Sequence, residues 1–138
     1  LNLKGKPLAL VSKSLGGQQI DTRRFSGRIV VIHYWASWSD PSTQDMALLK
    51  RLASKYGDKL ALVGVNLDAD PDAAVQLVQN SDFSWPHLYS EGGMDSSLAN
   101  QLGIVSVPMI FLVGADGKVV KTSVHSAELD VLIAELLK

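Results

Sequence analysis

Residues 29–35 read Ile-Val-Val-Ile-His-Tyr-Trp, an almost unbroken run of β-branched and aromatic side chains. A strand with one wet face alternates polar and apolar residues, so this run belongs to a central strand covered on both sides. That requirement excludes open one-layer sheets and helical bundles, and it asks the rest of the chain for layers above and below.

The flanking sequence supplies them. After Trp35, Ser39 or Asp40 can cap a helix with Pro41 in its first turn, and Met46, Leu49, Leu52, Ala53 and Tyr56 recur at helical spacing before Gly57. Residues 60–65 form a second buried-strand candidate. Asp70-Pro71-Asp72 then opens a helix with Ala74, Val75 and Val78 on its inner face. Residues 85–89 read as a short strand, residues 96–102 as a brief helix stopped by Gly103, and residues 107–113 as a strand beginning at a proline. Gly114-Ala115-Asp116-Gly117 joins that strand to residues 118–122 as a hairpin. Leu129, Leu132, Ile133 and Leu136 mark an amphipathic terminal helix. Ahead of all this, residues 8–11 and 18–20 read as a small antiparallel pair around Gly16-Gly17. The order predicts an α/β fold, a mixed sheet with helices on both faces and an N-terminal strand extension. With 138 residues and no linker or repeat, the expectation is one domain spanning residues 1–138.

Composition narrows the chemistry. The chain has no cysteine, which excludes disulfides, thiolate metal sites and a cysteine nucleophile, and suits either redox compartment. A net charge of -1 supplies no global field for nucleic acid or an anionic membrane; Lys4, Lys6, Lys13, Arg23, Arg24 and Arg28 read as ordinary solvated surface. No run approaches the roughly 18 apolar residues of a membrane span. The first ten residues lack the basic start and long apolar run of a secretion signal, and the chain begins without Met. It reads as a trimmed segment, with any membrane association left to a removed anchor or another domain.

The chemistry-bearing candidates cluster at one junction. Ser39-Asp40-Pro41-Ser42 follows Tyr34-Trp35-Ala36-Ser37-Trp38 where the strand passes into the helix. Together with Gly5-Lys6-Pro7-Leu8, Gly27-Arg28-Ile29-Val30-Val31, Gly103-Ile104-Val105-Ser106-Val107-Pro108 and Gly114-Ala115-Asp116-Gly117-Lys118-Val119-Val120, these fragments resemble, in order and spacing, the thioredoxin fold. The resemblance is specifically to the TlpA/ResA-like branch of bacterial extracytoplasmic thiol-disulfide oxidoreductases. It implies that Ser39 stands at the attacking cysteine, Ser42 at the resolving cysteine and Pro41 at the intervening proline.

In that family a thiol at a helix N-terminus has its thiolate stabilised by unpaired N–H groups and the dipole, and a second thiol three residues on resolves the mixed disulfide. Serine keeps the size and the cap but not the redox chemistry. The resemblance further implies a cis peptide before Pro108, although pattern alone predicts trans. It gives Val107 backbone groups for an extended substrate, places Trp38, Asp40 and Pro41 beside the groove, and sets Asp45 at an acidic proton-transfer position. His33 occupies the site of the buried carboxylate of thioredoxins proper. Read from the residues, it is a satisfied histidine on a central strand and Asp45 a favourable first-turn acid. Trp35 reads as packing.

Other chemistries fit poorly. A nucleophilic serine needs a positioned base and an oxyanion site, and no Gly-x-Ser-x-Gly elbow is present. His33, His87 and His125 lack metal-ligand spacing, with His87 and His125 expected on loops or edges, and Asp68, Asp70 and Asp72 lack the calcium-loop pattern. No cofactor and no metal is expected. The reading is a redox-inactive thioredoxin-like module that binds an extended peptide or protein partner. Ala47, where the family's helices commonly carry proline, and Asp40 fit a natural departure from the catalytic pattern. The alternative is an active oxidoreductase whose cysteine pair was exchanged for serine. The resemblance implies an extracytoplasmic setting, periplasmic or membrane-anchored.

Overall fold

The computed structural model describes residues 2–138. At its centre lies the predicted run: β3 (Ile29–Trp35) is buried along all seven residues. It pairs in parallel with β4 (Leu60–Asn66) and antiparallel with β6 (Met109–Val113). β5 (His87–Tyr89) adds in parallel to β4, and β7 (Val119–Lys121) adds antiparallel to β6, giving the five-stranded order β5-β4-β3-β6-β7. A separate ribbon of β1 (Val11–Lys13) and β2 (Gln19–Asp21) precedes them.

Strand alternation sorts the core into two faces. Ile29, Val31, Leu60, Leu62, Ile110 and Leu112 meet Leu49 and Leu52 of α1 (Asp40–Tyr56) and Leu129 and Ile133 of α4 (Leu129–Leu136). Val30, Ile32, Tyr34, Val63, Val65 and Phe111 face the other way, toward Leu10 and Ile20 of the N-terminal region and Leu98 and Ala99 of α3 (Ser97–Gln101). Each fully buried Val or Ile contributes about 2 kcal/mol relative to exposure. Near the β5 edge, α2 (Asp72–Ser81) sets Ala74 against Trp35, Met46 and Phe83. Helices and the ribbon therefore cover both faces of a mixed sheet.

Helix ends fall where side chains can satisfy them. Ser39, not Asp40, caps α1, and Gly57 ends it at φ 57°, its N–H donating to the Ala53 carbonyl. Asp70 accepts from the amide of Asp72 at 3.0 Å as α2 begins. Ser96 accepts from the amide of Ala99 at 3.2 Å, and Gly103 follows α3 at φ 67°.

Three expectations shift. The first strand begins at Val11 rather than residue 8, because Thr22 turns into a short 3-10 segment and the β1–β2 ladder ends there, while Leu8 donates to the Gly117 carbonyl instead. The Leu10 amide donates instead to the Thr22 hydroxyl at 2.9 Å. The strand after the late proline begins at Met109, not Val107. Leu136 is exposed, since α4 ends there while Leu129 and Ile133 carry the buried face. No helix among the described residues is long and apolar enough to cross a membrane.

The chain's first residues engage both borders of the sheet. Gly5 donates to the Val119 carbonyl at 2.8 Å and Val119 donates to that of Lys6 at 2.9 Å, along β7. On the far side Leu15 donates to the His87 carbonyl at 2.8 Å, and Ser14 bridges to Leu88.

Candidate functional site

β3 ends at Trp35 and the chain turns through residues 36–39 into α1. The Ser39 side chain is the cap, accepting from the Ser42 amide at 3.4 Å, and the Ser42 hydroxyl donates to Ser39 Oγ at 2.9 Å. Both are buried, Ser42 completely. A serine cap is worth about 1 kcal/mol to a helix. Asp40 and Pro41 lie exposed in the first turn, and the Asp40 charge suits the positive end of the helix dipole.

The turn is held from across the sheet by residues that sequence reading did not single out as a site. Asp68, buried just beyond β4, accepts from the Ser37 amide at 3.1 Å and from the Ser37 hydroxyl at 3.0 Å. Asn66 donates to the same carboxylate at 2.9 Å and accepts from the Asp68 amide at 3.1 Å. A buried carboxylate is tolerable only when its lone pairs are used this way. The result anchors the turn and leaves the next side chain, Trp38, 63% exposed.

Antiparallel register sets Met109 opposite Tyr34, which brings residues 107–108 alongside the end of β3. The Val107-Pro108 peptide is cis. The Val107 backbone has no hydrogen-bond partner among the described residues, and the neighbouring Val105 is 86% exposed. One turn into α1, Asp45 shares with Pro108 a cavity of about 400 Å³ that Ile110, Val124, His125 and Ser126 complete. A second cavity of about 380 Å³ lies under the N-terminal segment, lined by Leu8, Val30, Ile32 and Val113. It stands at the other end of the sheet from the serines.

Four buried polar rings lie on β3 and the edge strand β5. His33 is 1% exposed and directs Nε2 toward Asp45 Oδ2 at 3.7 Å, beyond hydrogen-bond reach. Among the described residues neither ring nitrogen has a hydrogen-bond partner, which corrects the expectation of a satisfied histidine: the Asp45 carboxylate of α1 stops short of it. His87 lies on the edge strand β5 as expected, but it is buried because Trp35 reaches across Gly64 to meet it. The Trp35 indole donates to His87 Nδ1 at 3.1 Å, so Nε2 carries the proton and donates to the Phe83 carbonyl at 3.1 Å. Burial pushes His87 down to about 4, fixing it neutral. Trp35 is thus both packing and a hydrogen-bond donor. The Tyr34 hydroxyl is buried without a partner among the described residues, and burial pushes its pKa up.

Chemically this is a helix-capping pair below an open aromatic flank and a cis-proline turn, with hydroxyls where a redox centre needs sulfur. A hydroxyl is far less acidic than a thiol and forms no disulfide. The fold and site define a thioredoxin-like domain that cannot carry out disulfide exchange. Comparison with known proteins agrees, and the chain belongs to the thioredoxin-like family, whose model matches residues 27–119.

Among its relatives, the thiol-disulfide oxidoreductase ResA of Bacillus thuringiensis subsp. konkukian is 27% identical over 112 residues, covering 80% of this chain and 63% of ResA. The thioredoxin-like protein YneN of Bacillus subtilis is 26% identical over 108 residues, covering 76% of this chain and 61% of YneN. The chain therefore spans less than two thirds of the length of these curated relatives. A thiol-disulfide oxidoreductase from Bacteroides fragilis superposes with a TM-score of 0.82 at 27% identity, covering 94% of this chain and 98% of its own. The thioredoxin domain of one from Bacteroides vulgatus reaches 0.87 over the full length of both chains at 17% identity, a likeness of fold alone.

Proposed function

We propose that this chain is a noncatalytic thioredoxin-like module that binds an extended peptide or protein segment across Trp38, Val107 and Pro108. One observation carries the reading: at a sulfur-free site the indole just past β3 is exposed, and the Val107 backbone that the β3–β6 register brings to the same end has no hydrogen-bond partner among the described residues. Unpaired strand-like backbone is what an extended partner recognises, and an exposed aromatic is a common anchor. Asp40 and Pro41 border that surface. Asp45 has no thiol to serve, so its role passes from proton transfer to contact with the bound segment. Kinship with the oxidoreductases named above supports an extracytoplasmic setting.

The test is capture of partners from the source organism's extracytoplasmic fraction by the intact chain and by Trp38→Ala. Loss of the captured species with the alanine variant is expected; identical capture by both would remove the groove from consideration.

A second reading is an active oxidoreductase whose cysteines at positions 39 and 42 were exchanged for serine. It is favoured by the 2.9 Å separation of the two hydroxyls, which keeps the arrangement of a reactive pair. The gene separates the two: cysteine codons at both positions sink the first reading, and serine codons sink the second.

A further inference from the structure

Charge is unevenly placed on this molecule, although the total is only -1. Asp40, Asp70, Asp72, Glu91 and Asp95 are all exposed, in loops or first turns that follow the carboxyl ends of β3, β4 and β5. None is paired with a cation among the described residues. Their fields overlap: the Tyr89 phenol is pushed up by desolvation and then by Glu91, Asp70 and Asp68. At this end the exposed Lys13 is set beside the carboxyl end of β5 by the Ser12–Tyr89 hydrogen bond and the Ser14–Leu88 bridge, while Lys121 lies farther down the sheet opposite Leu112 and is held by Glu128 at 3.0 Å. Bases collect at the opposite end, where hydrogen bonds from Gly27 to Ala115 and from Leu8 to Gly117 join the segments bearing Lys4, Lys6, Arg24, Arg28 and Lys118.

The acids are dispersed rather than convergent. No group of three or more His, Asp or Glu among the described residues is placed to hold a metal ion. Asp40 adjoins the groove with its exposed Trp38 and Val105, and the other four stand on its β4–β5 side. The cavity beside Pro108 adds a second, independent observation. The Asp45 side chain lines it at 14% exposure, and behind that carboxylate His33 is 1% exposed with both ring nitrogens unpartnered. A carboxylate at the wall of a cavity, without a hydrogen-bonding cation, lacks a donor that a ligand can bring.

We propose that the segment taken by this groove is basic. One lysine or arginine side chain seats against Asp45 in the cavity, apolar residues pack on Trp38 and Val105, and neighbouring cations face the acidic rim. This rests on the peptide-binding reading above and names its partner class. The rim acts mainly on encounter and is screened by salt, whereas the partly buried Asp45 pair acts on residence. An acidic peptide or a nucleic acid strand is repelled from the same face.

Short extended peptides with a common Thr-Val-Thr centre and Lys, Gln or Glu flanks test this by titration calorimetry at low and high salt. The lysine peptide is expected to bind about tenfold tighter than the glutamine peptide, with the glutamate peptide weakest. The triple variant Asp40→Asn/Asp70→Asn/Glu91→Gln should remove most of the salt-sensitive part of that preference, and Asp45→Asn the part surviving high salt. Asp45→Glu should restore the latter. Circular dichroism of each variant checks the fold, and the exposed triple variant carries the test if a change at Asp45 unfolds the chain. Equal binding of all three peptides, weakened throughout by Trp38→Ala, overturns the charge proposal while the groove stands. A lysine preference that survives every acidic variant, or Trp38→Ala, overturns it as well. Failure of every peptide to bind overturns the groove and the proposal together.

Discussion

His33 and His87 lie in one row of the sheet with Gly64 between them, His33 opposite Gly64 on β4 and Gly64 opposite His87 on β5. Both are buried, yet their accounts differ. His87 uses both nitrogens, receiving from Trp35 and giving to Phe83, whereas His33 uses neither. The satisfied ring joins the edge strand to the centre as a fixed neutral bridge. The unsatisfied ring backs the carboxylate that lines the groove-side cavity. Unmet polar groups are rare in folded interiors, and here one stands where a partner is proposed to bind. The difference separates a side chain that builds the scaffold from one left open by it.

Acid should expose that difference most strongly. The folded His87 takes up its proton near 4 and the unfolded one near 6.5, so between those values the unfolded chain binds protons that the folded chain refuses. Stability is full above the higher value and falls toward the lower by on the order of 3 kcal/mol. Urea unfolding from pH 7 to 4 measures it, and His87→Gln should flatten the slope. A slope unchanged in that variant would break the assignment.

Gly64→Ala comes next. Its Cβ would stand 2.2 Å from His87 Nδ1 and 3.0 Å from Trp35 Nε1, and overpacking of that kind costs about 2 to 3 kcal/mol. An urea midpoint near that of the parent chain would mean the row is looser than its hydrogen bonds indicate. His87→Leu strips Trp35 of its acceptor and Phe83 of its donor, for a loss of about 2 kcal/mol. His33→Leu removes only unmet nitrogens and should raise stability by about 1 kcal/mol. Opposite signs in the two denaturation curves would confirm the contrast; equal losses would erase it.

The parts legible in the sequence are those whose physics is local. β3 announces itself through seven adjacent residues, and α1 through a serine cap, an early proline and a terminating glycine. The cis peptide before Pro108 came from resemblance, because the local pattern favours trans. Contacts between distant residues were hidden. Ser37 and Asp68 are 31 positions apart, and Trp35 and His87 are 52 apart. Gly64 shows its purpose only once the β4 register places it beneath an imidazole and an indole. The same distance defeated the reading of His33, whose satisfaction depended on how close α1 brings Asp45. The polarity of surface charge was equally invisible, since acids and bases interleave in sequence and part company only when strands align.

The N-terminal segment has a consequence beyond bracing the core. Open sheet borders are templates on which copies of a protein stack. Here residues 5–6 occupy part of one border and residues 14–15 part of the other. A chain guarded in this way can leave the Val107 backbone bare for the partner segment proposed above without offering its flanks to its own kind.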